Sequence, residues 1–146
     1  MEKFNLISQG LNQLSFIGSL IGGFALSLAA GIISKSEKNK VASWTVGFAI
    51  SVTSSMMVCV IGWSMASFRL YLLSANSSVE RLESMGSKLD GLSEYLGLLF
   101  LFSIFLFFVS LGLSGWNLSR NVGIATTTIA FLATIAGVLV IIPFLG

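Results

Sequence analysis

Four long stretches without a charged residue divide the chain: 4–34, 41–68, 95–119 and 121–146. Each exceeds the roughly 20 apolar residues that carry an α-helix across about 30 Å of hydrocarbon. The runs are continuous, whereas barrel strands alternate in short segments of about ten residues. The pattern predicts an all-α integral membrane protein, a four-helix bundle in a single four-span domain over 1–146. The expected spans are about 14–34, 42–68, 94–116 and 122–145. Only six residues, Lys35 to Lys40, separate the first two, so these must be antiparallel neighbours.

The polar positions between the runs add two amphipathic segments. Phe4, Ile7, Leu11 and Leu14 recur at helical spacing, with Asn5, Ser8, Gln9, Asn12 and Gln13 between them. This predicts a helical lead-in that either lies at the interface or lengthens span one into water. Asn12 and Gln13 interrupt the apolar core a cleaved leader would need, so span one is expected to be retained. The connector, about 74–93, opens on Ser77-Ser-Val-Glu80, which fits a capping box. Val79, Leu82, Gly86 and Leu89 then mark one face, against Glu80, Arg81, Glu83, Lys88 and Asp90 on the other. This arm is where a regulatory protein would dock. Five phenylalanines between Phe100 and Phe108 place span three at the periphery, against lipid.

Composition sharpens the class. Hydrophobic residues make up 55% of the chain and charged residues 10%, against about 25% charged in soluble domains. A lipid bilayer is therefore the first partner, and the localisation is multi-pass membrane. A net charge of +2 without a basic cluster excludes nucleic acid. Lys3, Arg69, Arg81 and Lys88 lie on the side of the termini, and Lys35, Lys38, Lys40 and Arg120 on the other. Four against four leaves the orientation open.

Chemistry is thin. The chain has no histidine and one cysteine, Cys59. No span interior carries an ionisable group, which argues against coupled transport and voltage sensing. With no acid–base pair and no ligand cluster, no enzyme, cofactor or metal is expected. What remains is small residues. Gly18 and Gly22 form GxxxG in span one, and Ser27 and Gly31 continue the small-xxx-small spacing. Gly47, Ser51, Ser55 and Gly62 repeat it in span two, and Gly137 belongs to a similar stripe in span four. These are helix-packing positions, and three stripes exceed what one subunit needs. A homo-oligomeric ring would use the surplus, with span one nearest the axis.

Particular residues give this layout a family likeness. Gly23-Phe24-Ala25 matches a GFA in the pore helix of the Orai family of store-operated calcium channels. Ile124-Ala-Thr-Thr-Thr-Ile129 resembles the IASTTI that opens that family's fourth span, and Trp116 resembles a tryptophan after its third. The resemblance implies a ring with span one around the pore and span three outward. In the GFA register the pore-lining residues would be Phe16, Leu20, Gly23 or Phe24, Ser27 and Gly31. The family's acidic residue at the outer mouth falls on Gly31, its basic stretch falls near Asn12 and Phe16, and its span-four proline has no early counterpart before Pro143. An acidic calcium filter is therefore not expected. A ring of Phe and Leu would gate by dewetting. Two functions follow: an oligomeric pore or ion channel lined by span one, or a non-conducting accessory or scaffold subunit of a larger membrane complex.

Overall fold

The computed structural model describes the backbone of residues 2–34, 39–75 and 79–141, and side chains for 6–34, 39–72, 91–136 and 139. It is all-helical: α1 (Glu2–Ser34), α2 (Lys40–Ala75), α3 (Val79–Trp116) and α4 (Arg120–Ile141). Three of these, at Leu6–Ser34, Lys40–Leu72 and Gly91–Trp116, are long and apolar enough to cross a membrane.

At 1.5 Å per residue, the 36 residues of α2 and the 38 of α3 reach about 54 and 57 Å. Both outrun the hydrocarbon layer. In α3 the surplus is the charged stretch Val79–Asp90. The connector and span three are thus one unbroken helix rather than an arm followed by a span. Gly86 and Gly91 weaken it by about 1 kcal/mol each but do not stop it. The lead-in Glu2–Leu14 likewise continues straight into span one.

α2 packs on both α1 and α3. The α1 and α3 backbones come close at few positions, although α3 side chains reach the core that α1 lines, and α4 packs on α3 alone among the described residues. The helices therefore form an open row rather than a closed four-helix bundle, with α1 and α4 at its two edges. The α1–α2 seam is a heptad. Ser15, Gly18, Gly22, Ala25 and Ala29 are buried on α1 in 3-4-3-4 steps. On α2 the buried positions Ala42, Thr45, Ala49, Val52, Met56, Cys59 and Trp63 repeat the spacing, with Cys59 turned to Leu96 of α3. A mean step of 3.5 residues keeps one stripe facing its neighbour along a left-handed supercoil.

With so little volume on α1, something else must fill the core. Phe100, Ile104 and Phe107 of α3 pack against Ala25, Ala29, Ala49, Val52 and Met56. The Phe100 ring meets buried Trp63 edge-on, with centroids 5.1 Å apart. The expectation of a lipid-facing phenylalanine span needs correcting here. Phe102 and Phe105 do face outward, but Phe100 and Phe107 turn in, because the small residues of α1 leave room for them.

Thr45, Ser103 and Ser110 bond within their own helices, whereas buried Ser15 and Ser67 bond across the α1–α2 seam, Ser15 donating to Val60 O at 3.5 Å and Ser67 Oγ lying 2.8 Å from Ser8 Oγ. Thr45 donates to Val41 O at 2.8 Å, Ser103 to Leu99 O at 2.7 Å and Ser110 to Phe107 O at 2.8 Å. Half-buried Thr53 reaches both its own helix and the next. Its Oγ1 lies 3.0 Å from Ala49 O and 3.1 Å from Gly22 O across the seam. The second contact exists because Gly22 has no side chain to screen its carbonyl. Thr53→Val keeps the shape and removes the hydroxyl. It should lower stability in an SDS-unfolding titration by about 0.6 kcal/mol, the usual scale of an interhelical hydrogen bond in membranes. An unchanged midpoint would show that Ala49 O alone suffices.

Candidate functional site

α1 divides into two faces. Successive residues advance 100° around an α-helix, so Phe16, Leu20, Gly23, Phe24, Ser27 and Gly31 fall within a strip about 100° wide. The buried set from Ser15 to Ala29 lies about 170° away on the same construction. The structure places all six predicted pore residues on this outer strip. Phe16 is 65% exposed and Phe24 66%. A Cβ at Gly23 or Gly31 would meet nothing within 4 Å. Phe16, Leu20 and Phe24 stand exposed, whereas Ser27 and Gly31 border a cavity shared with Ala42, Ser114 and Leu118, and Gly23 a groove shared with Met57 and Ile61 of α2.

The predicted packing residues separate into three groups. Gly18 and Gly22 sit in the α1–α2 seam, where an added Cβ would lie 3.1 Å from Val60 Cγ2 and 3.3 Å from Met56 Cβ respectively. Gly62 lies under Leu96 of α3, with Leu96 Cδ1 2.6 Å from where a Cβ would stand. Gly47 meets nothing within 4 Å, Ser51 is exposed and Ser55 half-buried. Within the subunit Gly47 and Ser51 therefore pack against no other helix, since the α2 heptad points elsewhere. Gly137 falls outside the residues whose surroundings are described.

The outer strip is electrically quiet. Ser27 donates to Gly23 O at 2.9 Å, so its proton is held by its own helix. On α2, Ser51 donates to Gly47 O and Ser55 to Ser51 O in the same way. These oxygens can still accept from water or from a hydrated ion. Among the described residues no group of three or more His, Cys, Asp or Glu could hold a metal.

The α3–α4 hairpin is the second built feature. Trp116 lies over Gly123 and donates from Nε1 to Thr127 Oγ1 at 3.0 Å. Thr126 Oγ1 lies 3.0 Å from Gly112 O on α3. The three consecutive threonines are thus divided. Thr126 and Thr127 tie α4 to α3, and Thr128 bonds its own helix at Ile124 O. Sequence reasoning gave Trp116 as the counterpart of a tryptophan after the Orai family's third span and missed this clasp. The i, i+3 glycines at 112 and 115 were the available signal.

No family model, curated protein or solved structure matches the chain. Function must be argued from this geometry.

Proposed function

We propose that the protein is one subunit of a homo-oligomeric membrane pore, with four helices crossing the bilayer and α1 lining the axis. The carrying observation is the apolar part of the outer strip of α1, Phe16, Leu20 and Phe24, exposed at one edge of the row. The subunit interior is filled by Phe100, Phe107, Met56 and Trp63, and its buried hydroxyls are bonded to helix carbonyls. A conducting path must therefore run between copies, and the bare edge of the row is where copies would meet. α4, at the other edge, takes the outward position.

On this reading Phe16, Leu20 and Phe24 form a hydrophobic constriction that opens by wetting. Gly23 and Gly31 widen the path, and Ser27 offers a hydroxyl oxygen to a passing ion. Nothing on the strip is acidic, so the resemblance to the Orai family extends to its layout and not to its calcium filter. The charged first turns of α3, Val79–Asp90, are the place for control by a regulatory protein.

The bonded state of Ser27 supports the second reading, a non-conducting accessory subunit whose α1 strip docks on a partner's helix. Flux separates the two. Reconstituted in liposomes, Leu20→Asp should raise ion flux about tenfold by hydrating the constriction, and Ser27→Trp should abolish it. Flux indifferent to both substitutions, or a monomer in detergent, overturns the pore.

A further inference from the structure

α3 reaches α2 at Cys59 and Gly62. On the other side of the α1–α2 pair two recesses follow one another. The first, about 340 Å³, has Gly18 and Gly22 in its floor, Ser19 and Leu26 on its α1 rim, and Met57 and Ile61 on its α2 rim. The second, about 380 Å³, is bordered by Ser8 and Asn12 of α1 and by Ser64 and Ser67 of α2. Ser64 stands one helical turn from Ile61, so the two recesses form one groove, polar toward the start of α1 and apolar beyond. The opposite flank of α1 is a ridge. Gln13, Ile17, Leu20 and Phe24 follow in 4-3-4 steps, and all four are exposed. At 100° per residue the ridge lies about 140° around the helix from the Ser19–Leu26 rim, with Phe16 and Ser27 between them.

We propose that the ridge of one copy fills the groove of the next, and that the ring closes through this one repeated contact. The inference rests on the pore reading and adds α2 to the wall between subunits. Copies related by an axis along the membrane normal carry equal residue numbers at equal depth. Gly18 lies against Val60, and Gly22 against Met56. Ile17 of the second copy therefore comes level with Ile61, and its Phe24 level with Gly22. Bulk meets a floor without side chains, where backbones approach closely. Gln13 of the second copy comes level with Asn12 and Ser64. Ser64 donates to Ser15 Oγ at 3.4 Å, so its oxygen can accept from the Gln13 amide. Polar thus meets polar, and large meets small, with no shift in depth.

The direction of closure follows from the same geometry. Ridge and groove lie less than 180° apart on the strip side of α1, so repeated contacts curve toward the strip and close around it. Other occupants fit less well. A two-fold pair would press ridge on ridge or groove on groove. An acyl chain would fill the groove but leave the ridge on the other flank bare.

Crosslinking of the full chain tests it. Ile17→Cys and Ile61→Cys are combined with Cys59→Ala, which removes the one native thiol. The protein is reconstituted in liposomes and treated with a short bifunctional thiol reagent. Within one subunit the body of α1 separates position 17 from the groove, so the pair links only between copies. The expected result is a ladder of covalent oligomers, with no ladder from either cysteine alone. Absence of the ladder overturns the proposal, whether the groove holds lipid or the copies stay apart. Dimers from a single-cysteine variant overturn it too, since they mark a two-fold contact. A ladder without ion flux keeps the junction and removes the pore, and flux without a ladder does the reverse. If the triple variant folds poorly, Met57→Trp carries the test in the native chain. Met57 is exposed on the α2 rim, so the SDS midpoint should hold while the oligomer falls to monomer. An oligomer that survives Met57→Trp overturns the proposal.

Discussion

Replacing Gly115 with alanine should cost about 3 kcal/mol, at the upper end of what one added methyl group does to a packed interface. A Cβ there would collide with Thr126 Oγ1 and stand 2.9 Å from both Thr126 Cγ2 and Val122 O. The last of these is backbone, so no side-chain rotation relieves the contact. Relief requires α4 to move off α3, and α3 is the only helix α4 touches among the described residues. The Trp116 Nε1 bond to Thr127 and the Thr126 approach to Gly112 O are lost with it. SDS unfolding should report the lost stability, and amide exchange should accelerate at the start of α4, from Gly123 to Thr128. Gly97→Ala is the control. It lies in the same helix with nothing within 4 Å of an added Cβ. It should stabilise by up to about 1 kcal/mol through helix propensity. Equal stability for Gly115→Ala and wild type would remove the clasp from the account.

How far such features were legible depends on the range of the physics behind them. Charge-free runs reveal helices, because lipid forces every backbone bond to close within a segment. Partner choice within the membrane is a matter of shape, and shape is read poorly from letters. The small residues Gly18, Gly22, Ser27 and Gly31 looked like one stripe in sequence. The step from Gly22 to Ser27 is five residues, a turn of about 140° around an α-helix, so the true seam continues from Gly22 to Ala25 and Ala29, while Ser27 and Gly31 fall on the outside. Counting in sevens from Gly18 and Gly22 would have reached Ala25 and Ala29. The phenylalanines of α3 show the same limit. Their bulk suggested lipid until the core left empty by α1 was visible, and Phe100 and Phe107 fill it. The union of connector and span three was hidden by the change from charged to apolar letters at Glu94, which alters the solvent but not the helix.

Gly22 and Gly23 put the two faces of α1 to the sharpest test, because one residue step separates seam from strip. Gly22→Leu drives a side chain toward Met56 Cβ, 3.3 Å from the position of its own Cβ, with the Thr53 backbone 3.9 Å away. It also screens the carbonyl that Thr53 reaches at 3.1 Å. Overpacking of this kind costs about 1–3 kcal/mol, and here the loss of a supporting hydrogen bond adds to it. The expected outcome is separation of α1 from α2, seen as a lowered SDS midpoint. At Gly23 an added Cβ meets nothing within 4 Å. The subunit should fold as well as wild type or slightly better, because leucine suits a helix more than glycine does. Its effect should appear only when subunits assemble: a leucine on the axis narrows the path, so flux falls while the melting curve stays put. If Gly23→Leu leaves both stability and flux unchanged, the strip faces lipid and the pore is lost with it. If Gly22→Leu is the harmless one of the pair, the α1–α2 register itself is wrong. Stability and conduction thus read opposite sides of one helix, and each substitution is the other's control.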